Sequence, residues 1–336
     1  MLTAEHLSKT FNKGTINQKT AIKDVSLELH DGDFVTVIGG NGAGKSTLLN
    51  LISGLHTRDK GKITIDGMVI SKLPEYKRAK YIGRVFQDPM MGTCADMTIE
   101  ENLAMAFRRG KRRGLHWGIS EKERQFFKRQ LEMLELGLED RMSSKVGLLS
   151  GGQRQALTLL MATMMYEVTP TESVEKNLIY ALNRGHRPLL KRHLSAKQCA
   201  DLSWHGKRPL SQLLMVKASE LDKPDYQALQ DLMSELTKPK LLLLDEHTAA
   251  LDPKTAKKVL ELTETLISRH HLTTIMITHN MRDALAYGNR LWMMNNGQLA
   301  LDIPAEKKKT LQVNDLLGLF EDVVGESLNN DRMLLS

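Results

Sequence analysis

Gly39-Gly40-Asn41-Gly42-Ala43-Gly44-Lys45-Ser46-Thr47 fits G-x-x-x-x-G-K-[ST]. Glycines let consecutive backbone N–H groups converge on phosphate oxygens. A helix opening at this point adds its partial positive charge. Lys45 is then placed for β- and γ-phosphates and Ser46 for Mg²⁺. Leu241-Leu242-Leu243-Leu244-Asp245-Glu246 is an apolar run ending in two carboxylates. A buried strand there carries Asp245 to the Mg²⁺ shell and Glu246 to the attacking water. Taken alone, the same run is a strand with a polar end. Leu149-Ser150-Gly151-Gly152-Gln153 precedes an apolar helical run over 156–165. Ser150 can cap that helix while Gly151 and Gly152 expose N–H groups, making a second phosphate-binding helix start or, were the other two motifs absent, an ordinary N-cap with flexible glycines.

These groups need rigid elements behind them. Residues 34–38, Phe-Val-Thr-Val-Ile, read as a buried strand feeding the glycine loop, and 47–52 continue as a helix. Residues 25–30 alternate apolar and polar, as on a half-buried strand, and 31–33 signal a turn. Residues 62–67 form another short strand entering a turn. From about 98 to 160 the period becomes helical. Residues 121–136 are amphipathic, with Phe127, Leu131, Leu134 and Leu138 near helical spacing. A second strand–helix series fills 238–300, with 241–244 and 274–278 as buried strands and Gly297 closing a hairpin. Beyond Pro304 the chain is charged, then weakly helical.

The chain has 336 residues and an ordinary globular composition, 41% hydrophobic and 26% charged, which excludes fibrous and disordered classes. Length alone suggests two domains. No apolar run approaches the ~18–20 residues of a membrane span. Residues 1–6 lack a basic stretch followed by an apolar one, so no signal peptide is expected. Cys94 and Cys199 cannot build a disulfide framework, which fits a reducing compartment. The net charge of +7 suits a nucleotide, nucleic acid or anionic membrane, or simply a solvated surface.

Over 1–165 and 238–300 the order of motifs resembles the ATP-binding-cassette (ABC) ATPases. The resemblance implies an α/β P-loop cassette with a RecA-like core, an antiparallel β subdomain and an α-helical signature subdomain at about 88–165. It makes 39–47 a Walker A loop, 241–246 Walker B and 149–153 the signature. It makes Phe11 the adenine-stacking aromatic, Gln87 the Q-loop glutamine, Asp252 the D-loop aspartate and His279 the switch histidine. Singly, Phe11 reads as a core or edge aromatic, Gln87 as a loop amide, Asp252 as a helix cap and His279 as a strand-end histidine. His247 departs from the pattern, since many relatives carry proline after the glutamate.

What the resemblance implies for mechanism is a head-to-tail dimer with ATP and Mg²⁺ between the glycine loop of one subunit and the signature of the other. Gln87 would contact Mg²⁺ and water, and His279 the γ-phosphate. Segments 100–106 and 247–253 look most like ATPases of bacterial amino-acid importers. That implies a transmembrane permease partner docked near 86–105, where Met90, Met91 and Met97 lie. It also implies an extracytoplasmic solute-binding protein and a peripheral place on the cytoplasmic face of the cell membrane. A soluble cassette ATPase acting on RNA or ribosomes is the competing reading. A regulatory cassette without catalysis is disfavoured by Lys45, Asp245, Glu246 and His279.

Ser150 and Asp245 stand 95 positions apart, far more than the resemblance implies. Joining 165 to 238 restores the family spacing and leaves the 72 residues of 166–237 as a helical insertion in a cassette of 1–303, with 304–336 as a C-terminal tail. Val174, Leu178, Ala181 and Leu182 share one helical face, as do Leu229, Leu232, Met233 and Leu236. Between Lys176 and Lys217 lie nine Lys/Arg and a single acidic residue, Asp201. Nearby aromatics, Tyr180 and Trp204, are too few for a nucleic-acid stacking platform. Residues 173–185 echo 98–110 at an offset of 75, which duplication or chance would equally produce.

Overall fold

The computed structural model describes residues 1–109, 118–164, 168, 170–182, 194 and 199–324. Met165, Gly110, residues 183–185 of the echo and the end of the tail lie outside them. The strands are β1 (Leu2–Phe11), β2 (Lys19–Leu29), β3 (Phe34–Ile38), β4 (Lys60–Ile65), β5 (Met68–Val69), β6 (Ile82–Val85), β7 (Leu241–Asp245), β8 (Thr274–Ile277), β9 (Arg290–Asn295) and β10 (Gln298–Ile303). They form two sheets. One runs β2-β1-β4-β5 and is antiparallel; the other runs β10-β9-β3-β8-β7-β6.

In the second sheet β3 pairs in parallel with β8 and β9, and β7 with β6 and β8. A parallel sheet is covered on both faces, so its strands read as continuous apolar runs. All five residues of β3 and Leu241 to Leu244 of β7 are buried accordingly. In β2, Ile22, Val25, Leu27 and Leu29 are buried in the same cluster as Leu48, Leu49 and Ile52, which joins the two sheets through one core.

The longer helices are α1 (Lys45–Ser53), α2 (Ile99–Phe107), α3 (Glu121–Glu132), α4 (Gly151–Thr163), α5 (Val174–Leu182), α6 (Lys223–Thr237), α7 (Pro253–His270), α8 (Met281–Ala286) and α9 (Val313–Val324). Capping boxes start α2, α3 and α4: Thr98 with Glu101, Ser120 with Glu123 and Ser150 with Gln153. The amphipathic run over 121–136 is shorter as a helix than its pattern. α3 stops at Glu132 because Glu135 (φ 53°) and Gly137 (φ 67°) turn left-handed, yet Leu134 and Leu138 remain buried with Phe127 and Leu131.

The described residues between 168 and 236 have their own apolar cluster, centred on Val174, Leu178, Leu229 and Leu232. Three of the described cations in this stretch, Lys176, Arg208 and Lys217, face the carboxylates of Glu172, Asp225 and Glu220. The start of the C-terminal tail is packed down. Lys308 Nζ donates to Thr36 Oγ1 (3.0 Å), and Leu316 and Phe320 are buried against Leu291 and Met293 of β9. No described helix is long and apolar enough to cross a membrane.

Candidate functional site

Open α/β sheets bind ligands at the C-terminal ends of their strands. Register brings three such ends level here. Val37 pairs with Ile277, and Ile277 pairs with Asp245. The chain leaves β3 into the glycine loop, β7 into Glu246 and β8 into Thr278 and His279. Glu246 N–H donates to the Ile277 carbonyl (3.2 Å) and Thr278 N–H to that of Val37 (3.2 Å), which carries the ladder past the strand ends.

The glycine loop is held from behind. Gly39 has φ 151°, and a Cβ there would lie 2.2 Å from the Met294 carbonyl oxygen. Gly44 has φ 102°, and its Cβ would lie 2.6 Å from the Ala21 carbonyl oxygen. The hairpin turn between β9 and β10 braces the same loop. Gly297 N–H donates to the Ala43 carbonyl (3.0 Å), and Lys23 N–H donates to that of Gly297 (2.8 Å). Within the loop Ala43 N–H donates to Gly40 (3.1 Å), while Asn41 and Gly42 are exposed. Thr47 lies half-buried in the first turn of α1.

Lys45 is buried, and its ammonium donates to the carbonyls of Gly39 (2.7 Å) and Gly40 (3.3 Å). Burial lowers its pKa, and the charges of Glu246 and Asp245 work against that. Ser46 Oγ donates to Asp245 Oδ1 (3.2 Å). Burial pushes the Asp245 carboxyl up, while the Arg84 guanidinium at 3.5 Å and the Ser46 hydroxyl pull it down. Glu246 adopts φ 46°, and its Oε1 lies 2.5 Å from His279 Nε2. Lys45, Ser46, Asp245, Glu246 and His279 are thus gathered at the C-terminal ends of three neighbouring strands.

Other predicted residues stand around this centre. Gln87 is exposed, two residues after Val85, which pairs with Leu244. Phe11 meets the His56 ring edge-on at 5.2 Å between centroids. Its register partner Lys19 reaches over the glycine loop, with Nζ 3.2 Å from where a Gly42 Cβ would lie. Leu149 is buried in the helical core, and Ser150 Oγ accepts from Gln153 N–H (3.3 Å). A Cβ on Gly152 would lie 2.2 Å from Thr255 Cγ2, and one on Gly151 3.3 Å from Leu251, so this run sits beside the loop carrying Asp252. Asp252 caps α7 by accepting from Thr255 N–H (3.1 Å), and that contact holds its carboxyl below the usual range.

Sequence reasoning missed Arg84, Gln155 and Lys19. Arg84 lies between Asp245, Asn50 Oδ1 (2.6 Å) and Ser53 Oγ (3.0 Å), with its guanidinium 4.4 Å from the centre of the Phe86 ring. Gln155 Nε2 donates to the Phe86 carbonyl (3.1 Å), tying α4 to the residue before Gln87. An arginine in a short strand, a second glutamine in a helix and a lysine on an edge strand carry no local signal. Only proximity singles them out.

The chain is 36% identical over 324 residues to the tyrosine transport ATP-binding protein of Clostridioides difficile (strain R20291), covering 96% of this chain and 100% of that one. Residues 22–168 match the family described as ABC transporter. The chain belongs to the ABC transporter family. As an ABC ATPase it binds and hydrolyses ATP, and its fold is the P-loop cassette. A methionine import ATP-binding protein of Streptococcus pyogenes serotype M4 is 28% identical over 323 residues, spanning 91% of this chain and 67% of its own. In three dimensions the ABC cassette is similar to the ATP-binding cassette MJ0796, solved as a dimer after hydrolysis with ADP and Pi. That match has TM-score 0.59 and 23% identity, and covers 91% of this chain and 99% of that one. The cassette MJ1267 gives TM-score 0.60 at 22% identity, with 97% of each chain covered.

Proposed function

We propose that this ABC ATPase is the nucleotide-binding subunit of an importer for an amino-acid-like solute, acting through a separate transmembrane permease. The observation that carries this reading is the full-length relationship to a tyrosine transport ATP-binding protein. The strand-end cluster of Lys45, Ser46, Asp245, Glu246 and His279 supplies its chemistry.

Residues 39–47 cradle the phosphates through backbone N–H groups, and Lys45 exchanges its loop carbonyls for β- and γ-phosphate oxygens. Phe11 packs on the base, with Lys19 beside it. Ser46 and Asp245 offer two hard oxygens already 3.2 Å apart, which fits Mg²⁺, an ion that keeps waters and takes few protein ligands. Gln87 completes that set. Bound there, Mg²⁺ would supply charge neutralisation on the phosphates. Glu246 orients and deprotonates the attacking water. His279, already at Glu246, holds that carboxylate and reaches the γ-phosphate.

Ser150, Gly151, Gly152 and Gln153 of a second subunit close the site over ATP, with Asp252 at the same seam. Loss of the γ-phosphate releases those contacts and reopens the dimer. The permease docks at a cavity of about 270 Å³ lined by Arg84, Phe86, Met91, Ala106, Arg109 and Met161, beside the Gln87 loop. Methionine suits such an adaptable surface. This places the subunit on the cytoplasmic face of the membrane, with an extracytoplasmic solute-binding protein delivering cargo. The cassette spans 1–303, interrupted by 166–237 and followed by the tail of 304–336.

Glu246→Gln tests the core of this reading. Size-exclusion chromatography with ATP should show a trapped dimer, and turnover should fall by about 10²–10⁴-fold, as for loss of a general base. Unchanged turnover would remove Glu246 from its role.

A further inference from the structure

Among the described residues, a set of long-range hydrogen bonds in 95–147 recurs in 170–219. In the first unit the N–H groups of Ile99 and Glu100 donate to the carbonyls of Ser144 and Met142, each at 3.0 Å. In the second, Val174 and Glu175 donate to Val216 and Leu214, each at 2.9 Å. Val146 and Gly147 donate to Met97 and Ala95 (3.0 and 2.9 Å); Ala218 and Ser219 donate to Glu172 and Pro170 (2.9 and 2.8 Å). An antiparallel bridge closes each unit, Thr98 with Lys145 and Ser173 with Lys217. Even the buried asparagine recurs. Asn102 Nδ2 donates to the Thr98 carbonyl (2.9 Å) and Asn177 Nδ2 to that of Ser173 (3.0 Å).

The offset is 75 positions before α3 and 72 after it, where Gln155-Ala156-Leu157 meets Gln227-Ala228-Leu229. Two amphipathic helices share a period by chance. They do not share the same long-range hydrogen bonds by chance.

The copies differ on two surfaces. The helix start Ser150-Gly151-Gly152-Gln153 is matched by Asp222-Lys223-Pro224-Asp225. Pro224 has no N–H to offer an anion. Asp222 caps α6 by accepting from Asp225 N–H (3.1 Å). The wholly buried Asp225 carboxylate accepts from the backbone N–H (3.1 Å) and Nε (2.6 Å) of Arg208. Two carboxylates already fill this helix start, and a phosphate would be repelled.

The second difference is the side that faces the parallel sheet. Leu159 and Ala162 of α4 are buried with Val85 and Leu242. The matching residues of α6 are Asp231, which is exposed, and Ser234, half-buried. Among the described residues, the apolar cluster of the second unit draws on 168–236 alone, whereas that of the first recruits Leu262 of α7. The chain before the segment and the chain after it both pass Gly83. The Ala162 carbonyl oxygen and the Leu242 side chain lie 2.5 and 3.2 Å from where a Cβ on Gly83 of β6 would stand.

We infer that residues 170–237 are a second copy of the signature helical unit that has given up both phosphate recognition and its seat on the ATPase sheet. Trans recognition of ATP is left to residues 150–153, and the repeat is a self-contained module that hydrolysis does not need. This rests on the proposed role of 150–153 as phosphate contacts.

Full-length variants separate the two claims. Gly151→Asp puts a carboxylate into the first helix start and should cut ATP turnover on the order of a hundredfold, as for loss of an oxyanion donor. Lys223→Glu at the matching place should leave turnover within about twofold, as a surface change does. Leu229→Asp should strip amide-exchange protection from 170–237 while 98–164 stays protected and turnover persists. The inference is overturned if Lys223→Glu costs about tenfold or more with 170–237 still protected. It is also overturned if Leu229→Asp exposes 98–164. If Gly151→Asp instead leaves turnover unchanged, the assigned role of 150–153 fails.

Discussion

Glu246 has φ 46°, a region that non-glycine residues reach only at a cost of order 1–3 kcal/mol. The surrounding bonds impose it: its N–H donates to Ile277 (3.2 Å), its carbonyl accepts from Ala249 (3.0 Å), and its carboxylate meets His279. The next residue, His247, is buried under the same turn. Its Nε2 lies 3.1 Å from Thr263 Oγ1, whose own hydrogen goes to the Val259 carbonyl (2.7 Å). The threonine oxygen therefore accepts, and Nε2 carries the proton. Burial lowers the His247 pKa to about 4. An unfolded histidine titrates near ~6.5 and so takes up a proton that the folded one resists. Stability from this site is complete above that value and is lost as pH falls toward about 4. The melting temperature should drop between roughly pH 7 and 5, and His247→Gln should make the drop shallower. His270, also lowered to about 4 by burial, leaves a residual slope. An identical slope in wild type and variant would remove His247 as a cause.

Helix starts were legible and helix ends were not. The S/T-x-x-E/Q spacing at Thr98, Ser120 and Ser150 marks where α2, α3 and α4 begin, because side chain and backbone satisfy each other locally. The end of α3 depends on the left-handed Glu135 and Gly137, which tertiary packing of Leu134 and Leu138 selects. Asn102 is the pin of the first helical unit. Its amide donates to the carbonyls of Cys94 (3.0 Å) and Thr98 (2.9 Å), and its oxygen accepts from Cys94 N–H (2.8 Å). Asn102→Ala leaves these groups unpaired and should cost about 1–3 kcal/mol, read as a lower melting temperature with reduced turnover. Asn177→Ala should weaken amide-exchange protection only within 170–237. Loss of turnover in both variants would show the two units to be coupled.

Over the whole molecule, a surface insertion such as the one proposed for 166–237 costs little loop-closure entropy. Removing 166–237 and joining 165 to 238 should therefore leave a chain with a cooperative melt and ATP turnover. An insoluble or inactive product would make the segment part of the cassette's core. Length suggested two domains. Instead, two sheets share a core, one helical unit packs on them and a second stands on its own cluster. The basic bias over 176–217 is tempered in space, since Lys176, Arg208 and Lys217 meet carboxylates that lie outside that stretch of sequence. The patterns at 39–47, 241–246 and 149–153 were legible in the sequence alone, because each is a run of residue types at short spacing. Only the tertiary structure decided that Arg84 meets Asp245 and that Glu246 meets His279. It also added to the sequence echo of 98–110 in 173–185 the recurring bonds of the two units, because those relations are long-range hydrogen bonds that no local spacing encodes.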